Sequence, residues 1–136
     1  MAYAVGILVG LATILLGRVV GYDRDRTFYS AIVIVTASYY CLFAVMGGDR
    51  QALVAESIAM AVFLAAAIIG FTRNAWLLVA AMLGHGAFDL VHERLIADRG
   101  VPDYWPAFCL AFDVVVAIFI AVLLRRGAYG PSAITA

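Results

Sequence analysis

The sequence predicts an all-α fold, an integral membrane bundle of five transmembrane helices. Three observations predict it. The chain is 66% hydrophobic and 13% charged, with a mean hydropathy of +1.04; a soluble domain carries about 25% charged residues. Its apolar residues fall in five long runs, each close to the roughly 20 residues that a spanning helix needs. The breaks between the runs are short and hold most of the charges and several glycines.

The first helix is expected over residues 3–21, the second over 27–46 and the third over 51–71. The fourth is expected over 75–95 and the fifth over 104–124. Together they make one transmembrane domain over residues 1–126, with a loose tail over 127–136 that contains Pro131. The N-terminal run lacks a basic leader and a small-residue cleavage site, so it is read as a retained helix. Short connections predict that sequential helices are antiparallel neighbours. The fourth run is the least apolar. It is clean only from Ala75 to Gly84 and then meets His85, Asp89, His92 and Glu93. It is counted as spanning because the third and fifth runs need a connection across the bilayer.

All nine basic residues are arginine, and they balance nine acids. A net charge of zero gives no electrostatic footprint for nucleic acid. Arg18, Arg24, Arg26, Arg73, Arg125 and Arg126 fall on one side of the predicted topology, and Arg50, Arg94 and Arg99 on the other. The positive-inside rule then places the N-terminus outside and the C-terminus in the cytoplasm of a bacterial inner membrane. Gly6, Gly10, Gly17 and Gly21 form a small-residue stripe on the first helix. Such a stripe serves close packing within the bundle or a homo-oligomer face.

Ionisable residues inside a bilayer are costly and mark functional sites. Here they are Glu56 on the third helix, His85, Asp89 and His92 on the fourth, and Asp113 on the fifth. Tyr39, Tyr40, Cys41 and Cys109 are weaker polar company. At about 1.5 Å of rise per residue, Glu56 and Cys109 lie roughly 8 Å from the outer end and Asp113 roughly 14 Å. Asp89 and His92 lie roughly 21 and 26 Å from the inner end of their helix. The polar groups of four helices therefore gather in one leaflet, and Glu56 is close enough to the interface to be solvated. Tyr39, Tyr40, Tyr104 and Trp105 also fit an interfacial aromatic belt.

His85, Asp89 and His92 stand at i, i+4 and i+7 on one helix face, and Cys109 and Asp113 at i and i+4 on the next helix. Facing helices with such groups are how bundles build metal sites. The two histidines are separated by about 10 Å of rise, too far for one ion. Two ligand sets follow: Asp89 and His92 with Asp113, or His85 and Asp89 with Asp113, with Cys109 as a further donor. Zn²⁺ suits these donors best, with Fe or Cu as alternatives. The implied function is a metal-dependent enzyme acting on a membrane lipid or other apolar substrate. Asp113 and Glu56 are its candidate catalytic residues, Glu56 as general base. Two other readings remain open: a small oligomeric transporter or channel subunit that uses the cluster for protons or solutes, and a purely structural set of interhelical bonds.

The run from His85 through Asp89 to His92, followed by Pro102, Pro106, Cys109 and Asp113, resembles an uncharacterised family of small bacterial multi-pass membrane proteins. Those proteins carry HxxxDxxH and CxxxD elements around a proline-containing loop. A more distant likeness is to the membrane hydrolases that include alkaline ceramidases and adiponectin receptors. That likeness implies zinc chemistry, with Ser30, Ser38 or Ser57 as the serine. Those hydrolases have seven helices and three zinc histidines, whereas this chain has two histidines in all.

Overall fold

The computed structural model describes residues 1–24 and 26–129. Among them are five α-helices and no strand: α1 (Ala2–Val20), α2 (Thr27–Met46), α3 (Arg50–Thr72), α4 (Trp76–Leu95) and α5 (Trp105–Arg125), with a short 3₁₀ turn at Tyr22–Arg24. The bounds fall within one or two residues of those the hydropathy pattern predicts. Local chemistry explains the ends. Gly21 closes α1 in the left-handed conformation at φ 81°, which suits glycine. Asp49 caps α3, its Oδ1 accepting from the amides of Gln51 and Ala52 at 2.9 and 3.0 Å. Pro106 sits in the first turn of α5, where a missing N–H costs nothing.

Helices α1, α2, α3 and α5 are long and apolar enough to cross a membrane. This marks the chain as a membrane protein. Of the five expected spans, α4 falls short of that standard, because the polar residues in its second half lower its hydropathy. Three of them point inward, while Glu93 and Arg94 near the helix end are exposed. His85, Asp89 and His92 are buried, while Leu83, Leu90, Val91 and Leu95 are exposed on the outer surface.

The packing departs from simple sequential order. Helix α2 packs on α3, α3 on α4 and α4 on α5, as short loops require. Helix α1 instead lies along α5 and meets α2 only where Gly17 abuts Phe28. The glycine stripe is the cause. A Cβ on Gly6 would run into the Phe108 carbonyl oxygen, and one on Gly10 would press on Val115 at 3.1 Å. The stripe is thus occupied within the chain from Gly6 to Gly17, and Gly21 serves as the helix cap. At the opposite end of the chain, Tyr129 is buried against Tyr29, ring centroids 6.0 Å apart. The expected loose tail therefore does not begin at Gly127; its remainder, 130–136, lies outside the described residues.

The interior divides into two halves. One is mostly aliphatic, with Val33, Leu78, Met82, Val116, Ile120 and Leu123 at its centre. The other holds Glu56, His85, Asp89, His92 and Asp113. The loop between α4 and α5 closes over the polar half: Gly100 lies against the Phe43 carbonyl and the Gly47 amide at the end of α2, and Trp105 packs on Tyr39 and Phe43 at 5.0 and 4.8 Å.

Gly6→Ala should lower the thermal stability of the detergent-purified protein by about 1–3 kcal/mol, the usual cost of overpacking. Gly84→Ala is the control. Its Cβ would meet only Phe63 at 4.0 Å, so it should be neutral or up to about 1 kcal/mol stabilising through helix propensity. Equal melting temperatures for the two variants would contradict the α1–α5 contact.

Candidate metal centre

The site is built on α4. Gly86 brings α5 close there, since a Cβ would meet Leu110 at 2.9 Å and Asp113 Cβ at 3.6 Å. The i, i+4 pair of α4 thereby faces the i, i+4 pair of α5. His85, Asp89, Cys109 and Asp113 are all buried, and each can offer one ligand atom such that all four atoms lie within 4.8 Å of one another.

Hydrogen bonds orient the cluster. His85 Nδ1 lies 2.7 Å from Asp113 Oδ2 and 3.7 Å from Asp89 Oδ2. A carboxylate only accepts, so Nδ1 carries the proton and a neutral ring keeps its lone pair on Nε2. Tyr40 on α2 donates to Asp89 Oδ1 at 2.5 Å. These bonds use one oxygen of each aspartate. His85 Nε2, Asp89 Oδ2 and Asp113 Oδ1 are left buried without a hydrogen-bond partner. Unpaired polar atoms in an interior are costly, and here three of them belong to metal-ligating side chains of one cluster.

His92 stands apart from this group. One helical tier further toward the α4 C-terminus, its Nε2 lies 2.6 Å from Glu56 Oε1. Of the two ligand sets the spacing allows, the structure assembles the one with His85, and the separation of the histidines follows from the rise of the helix. Glu56 is not at a solvated interface: it is 1% exposed, because antiparallel α3 and α4 bring it under His92. The aromatic rings of Tyr40, Phe63 and Phe88 wrap both imidazoles. Tyr40 stacks on His92 at 4.0 Å, Phe63 meets His85 edge-on at 5.0 Å, and Phe88 meets His92 edge-on at 5.4 Å.

Tyr40 is the contributor that the sequence pattern undervalues. It belongs not to the interfacial belt but to the buried site, whereas Tyr104 is exposed. The signal was its depth, level with Asp89, beside a second tyrosine; adjacent residues on a helix point about 100° apart, so one of the two turns inward. The three serines stay out of the site. Ser30, Ser38 and Ser57 each donate back to their own helix, to the carbonyls of Arg26, Val35 and Leu53. Cys41 lies away from the cluster, 3.7 Å from Met60 Sδ.

Two features of the surroundings bear on chemistry. First, Glu56, Asp89 and Asp113 share this part of the interior with two imidazoles and a thiol, and no arginine is ion-paired to any of them among the described residues, whereas buried Asp23 at the other end of the bundle pairs with Arg18. Second, a cavity of about 350 Å³ opens between α1, α2 and α5. Val9, Thr13, Val35, Tyr39 and Phe112 are among the residues that line it, and Cys109 forms part of its wall.

Residues 1–127 match the family of unknown function DUF6010. The chain belongs to that family. The matched stretch contains all five helices of this DUF6010 protein and every residue of the cluster. No curated protein and no solved structure matches the chain.

The Glu56–His92 pair should behave as a coupled buried unit. Glu56→Ala alone is expected to cost about 3–5 kcal/mol of stability, the usual penalty for stranding one partner of a buried pair. The double variant Glu56→Leu with His92→Leu should cost clearly less than the sum of the single changes. Thermal denaturation in detergent reads both, and additive effects would count against the pairing.

Proposed function

We propose that this DUF6010 protein is a metal-dependent membrane enzyme acting on a lipid or other apolar substrate, with a divalent ion held by His85, Asp89, Cys109 and Asp113. One observation carries the reading: a buried, acid-rich cluster with three donor atoms that lack a hydrogen-bond partner and, among the described residues, no arginine paired to it. A cation supplies the missing charge and partners together, where otherwise protons alone would have to. One imidazole, two carboxylates and a thiolate suit Zn²⁺ first, with iron or copper as alternatives. Such an ion, when bound, activates water for hydrolysis or polarises a substrate oxygen.

The chain's own residues supply the rest. Asp113, 2.7 Å from His85 Nδ1, fixes the orientation of the imidazole within the cluster. Glu56 serves as base through His92: with Nε2–H given to Glu56, Nδ1 holds the free lone pair. The cavity beside Cys109 provides an apolar approach at the level of the lipid chains. The outward face of α4 is apolar, so α4 is read as the fifth span. The arginine-rich end of the bundle, where Arg26 donates to the Phe71 carbonyl, is read as cytoplasmic, which puts the N-terminus outside the plasma membrane. The alternative of a conducting subunit finds less support, since the aliphatic half of the interior interrupts any polar path through the chain. A homo-oligomer would use a surface other than the occupied part of the glycine stripe.

Elemental mass spectrometry of the detergent-purified protein tests the reading. Near-stoichiometric metal is expected in the wild type, with loss in both Asp89→Asn and Asp113→Asn, which keep side-chain shape. Wild-type protein without metal, or metal that survives both changes, overturns it.

A further inference from the structure

We propose that Tyr40 sets the coordination number of the ion, by confining Asp89 to one oxygen, and thereby selects a small four-coordinate cation such as Zn²⁺ over larger oxygen-seeking ones. The inference rests on the metal-site reading above.

A free carboxylate can bind a metal through one oxygen or both. Ions such as Ca²⁺ exploit this, gathering six to eight oxygens with carboxylates mono- or bidentate. Here each aspartate has one oxygen already engaged. His85 Nδ1 takes Oδ2 of Asp113, and the Tyr40 hydroxyl takes Oδ1 of Asp89. What remains is one donor per residue, all within 4.8 Å of one another: a ring nitrogen of His85, a carboxylate oxygen of each aspartate and the Cys109 sulfur. For Asp89 the oxygen that Tyr40 leaves free is Oδ2, a buried atom without a hydrogen-bond partner. Four donors including a thiolate describe a tetrahedral site for zinc-like ions, not an oxygen-rich octahedral site for Mg²⁺ or Mn²⁺.

The restraint on Asp89 is the more informative, because Tyr40 is itself not a ligand and comes from another helix. It is buried, and its ring is fixed on several sides. It stacks on His92 at 4.0 Å with planes 20° apart, and Phe88 meets it edge-on at 5.9 Å and 89°. His92 is in turn held by Glu56 at 2.6 Å. A chain of contacts thus runs from α3 through α4 to α2 and ends on the one oxygen that decides how Asp89 binds. Tyr40 is a positioning residue in this scheme. It touches the ligand and not the ion, and partners of this kind are worth about 10–100-fold in metal affinity.

The test uses Co²⁺ as a spectroscopic probe on metal-stripped, detergent-purified full chain. Wild type should give intense visible bands of four-coordinate Co²⁺ and a near-ultraviolet charge-transfer band from the Cys109 sulfur. In Tyr40→Phe the charge-transfer band should persist while the visible bands weaken, as Asp89 becomes bidentate and the ion five-coordinate. Co²⁺ affinity should fall by about 10–100-fold, and competition should shift in favour of Mn²⁺. His92→Gln, which keeps the hydroxyl but removes the ring it leans on, should move spectrum and competition the same way by less. It also serves as the readout if Tyr40→Phe does not fold. Wild-type bands and an unchanged Zn²⁺-to-Mn²⁺ preference in Tyr40→Phe overturn the role of Tyr40 and leave the site standing. No Co²⁺ spectrum in the wild type overturns the site, and the proposal with it.

Discussion

The fold depends on one constraint. Helix α4 carries His85, Asp89 and His92 along a single face, and in an apolar setting that face must be covered and its polar atoms partnered. The structure meets this by surrounding α4 with three helices, each of which supplies one partner. Asp113 comes from α5, Tyr40 from α2 and Glu56 from α3. Three short hydrogen bonds therefore specify which helices neighbour α4 and at what height. Apolar packing alone is poorly suited to that task in a membrane, because lipid tails compete equally for aliphatic side chains.

The same constraint explains the division of the interior. Polar groups gather in one half of the bundle and leave the other to Leu78, Met82, Val116, Ile120 and Leu123. The aliphatic half behaves as a conventional close-packed core and anchors the helices. The polar half combines what a packed core would not: buried atoms without a hydrogen-bond partner on Glu56, His85, Asp89, His92 and Asp113, an excess of acids and an adjoining cavity. Conformational specificity and interhelical bonding account for the bonded atoms of the cluster. They do not account for the unbonded ones, His85 Nε2, Asp89 Oδ2 and Asp113 Oδ1.

Much of this was legible in the sequence. Hydropathy and the placement of arginines and glycines located the helices to within a residue or two, and alternating helix direction put Glu56, Asp89, Cys109 and Asp113 at one level. The 10 Å of rise between His85 and His92 foretold that they would stand in separate tiers, one beside Asp113 and the other beside Glu56. What could not be read depended on rotation about helix axes, which depth does not encode. The burial of Glu56 follows from α3 turning it toward α4, and the choice of Tyr40 over Tyr39 follows from how α2 is rotated. The neighbour of α1 was hidden for another reason. A short loop constrains only where the next helix starts, whereas the glycines of α1 can accept any ridge that fits, and Phe108 and Val115 of α5 fit.

The position of α1 shapes the space beside the cluster. It contributes no polar group to the cluster, yet it lies within the stretch that defines the DUF6010 family. By packing along α5 and not along α2, it leaves a gap between itself and α2, and the cavity occupies that gap. Val9 and Thr13 of α1 line one side, Val35 and Tyr39 of α2 the other, and Cys109 lies within its wall. The glycine stripe that draws α1 onto α5 therefore does more than stabilise a helix pair. It leaves an apolar cavity between helices with Cys109 in its wall, while the α4–α5 loop covers the cluster from the end.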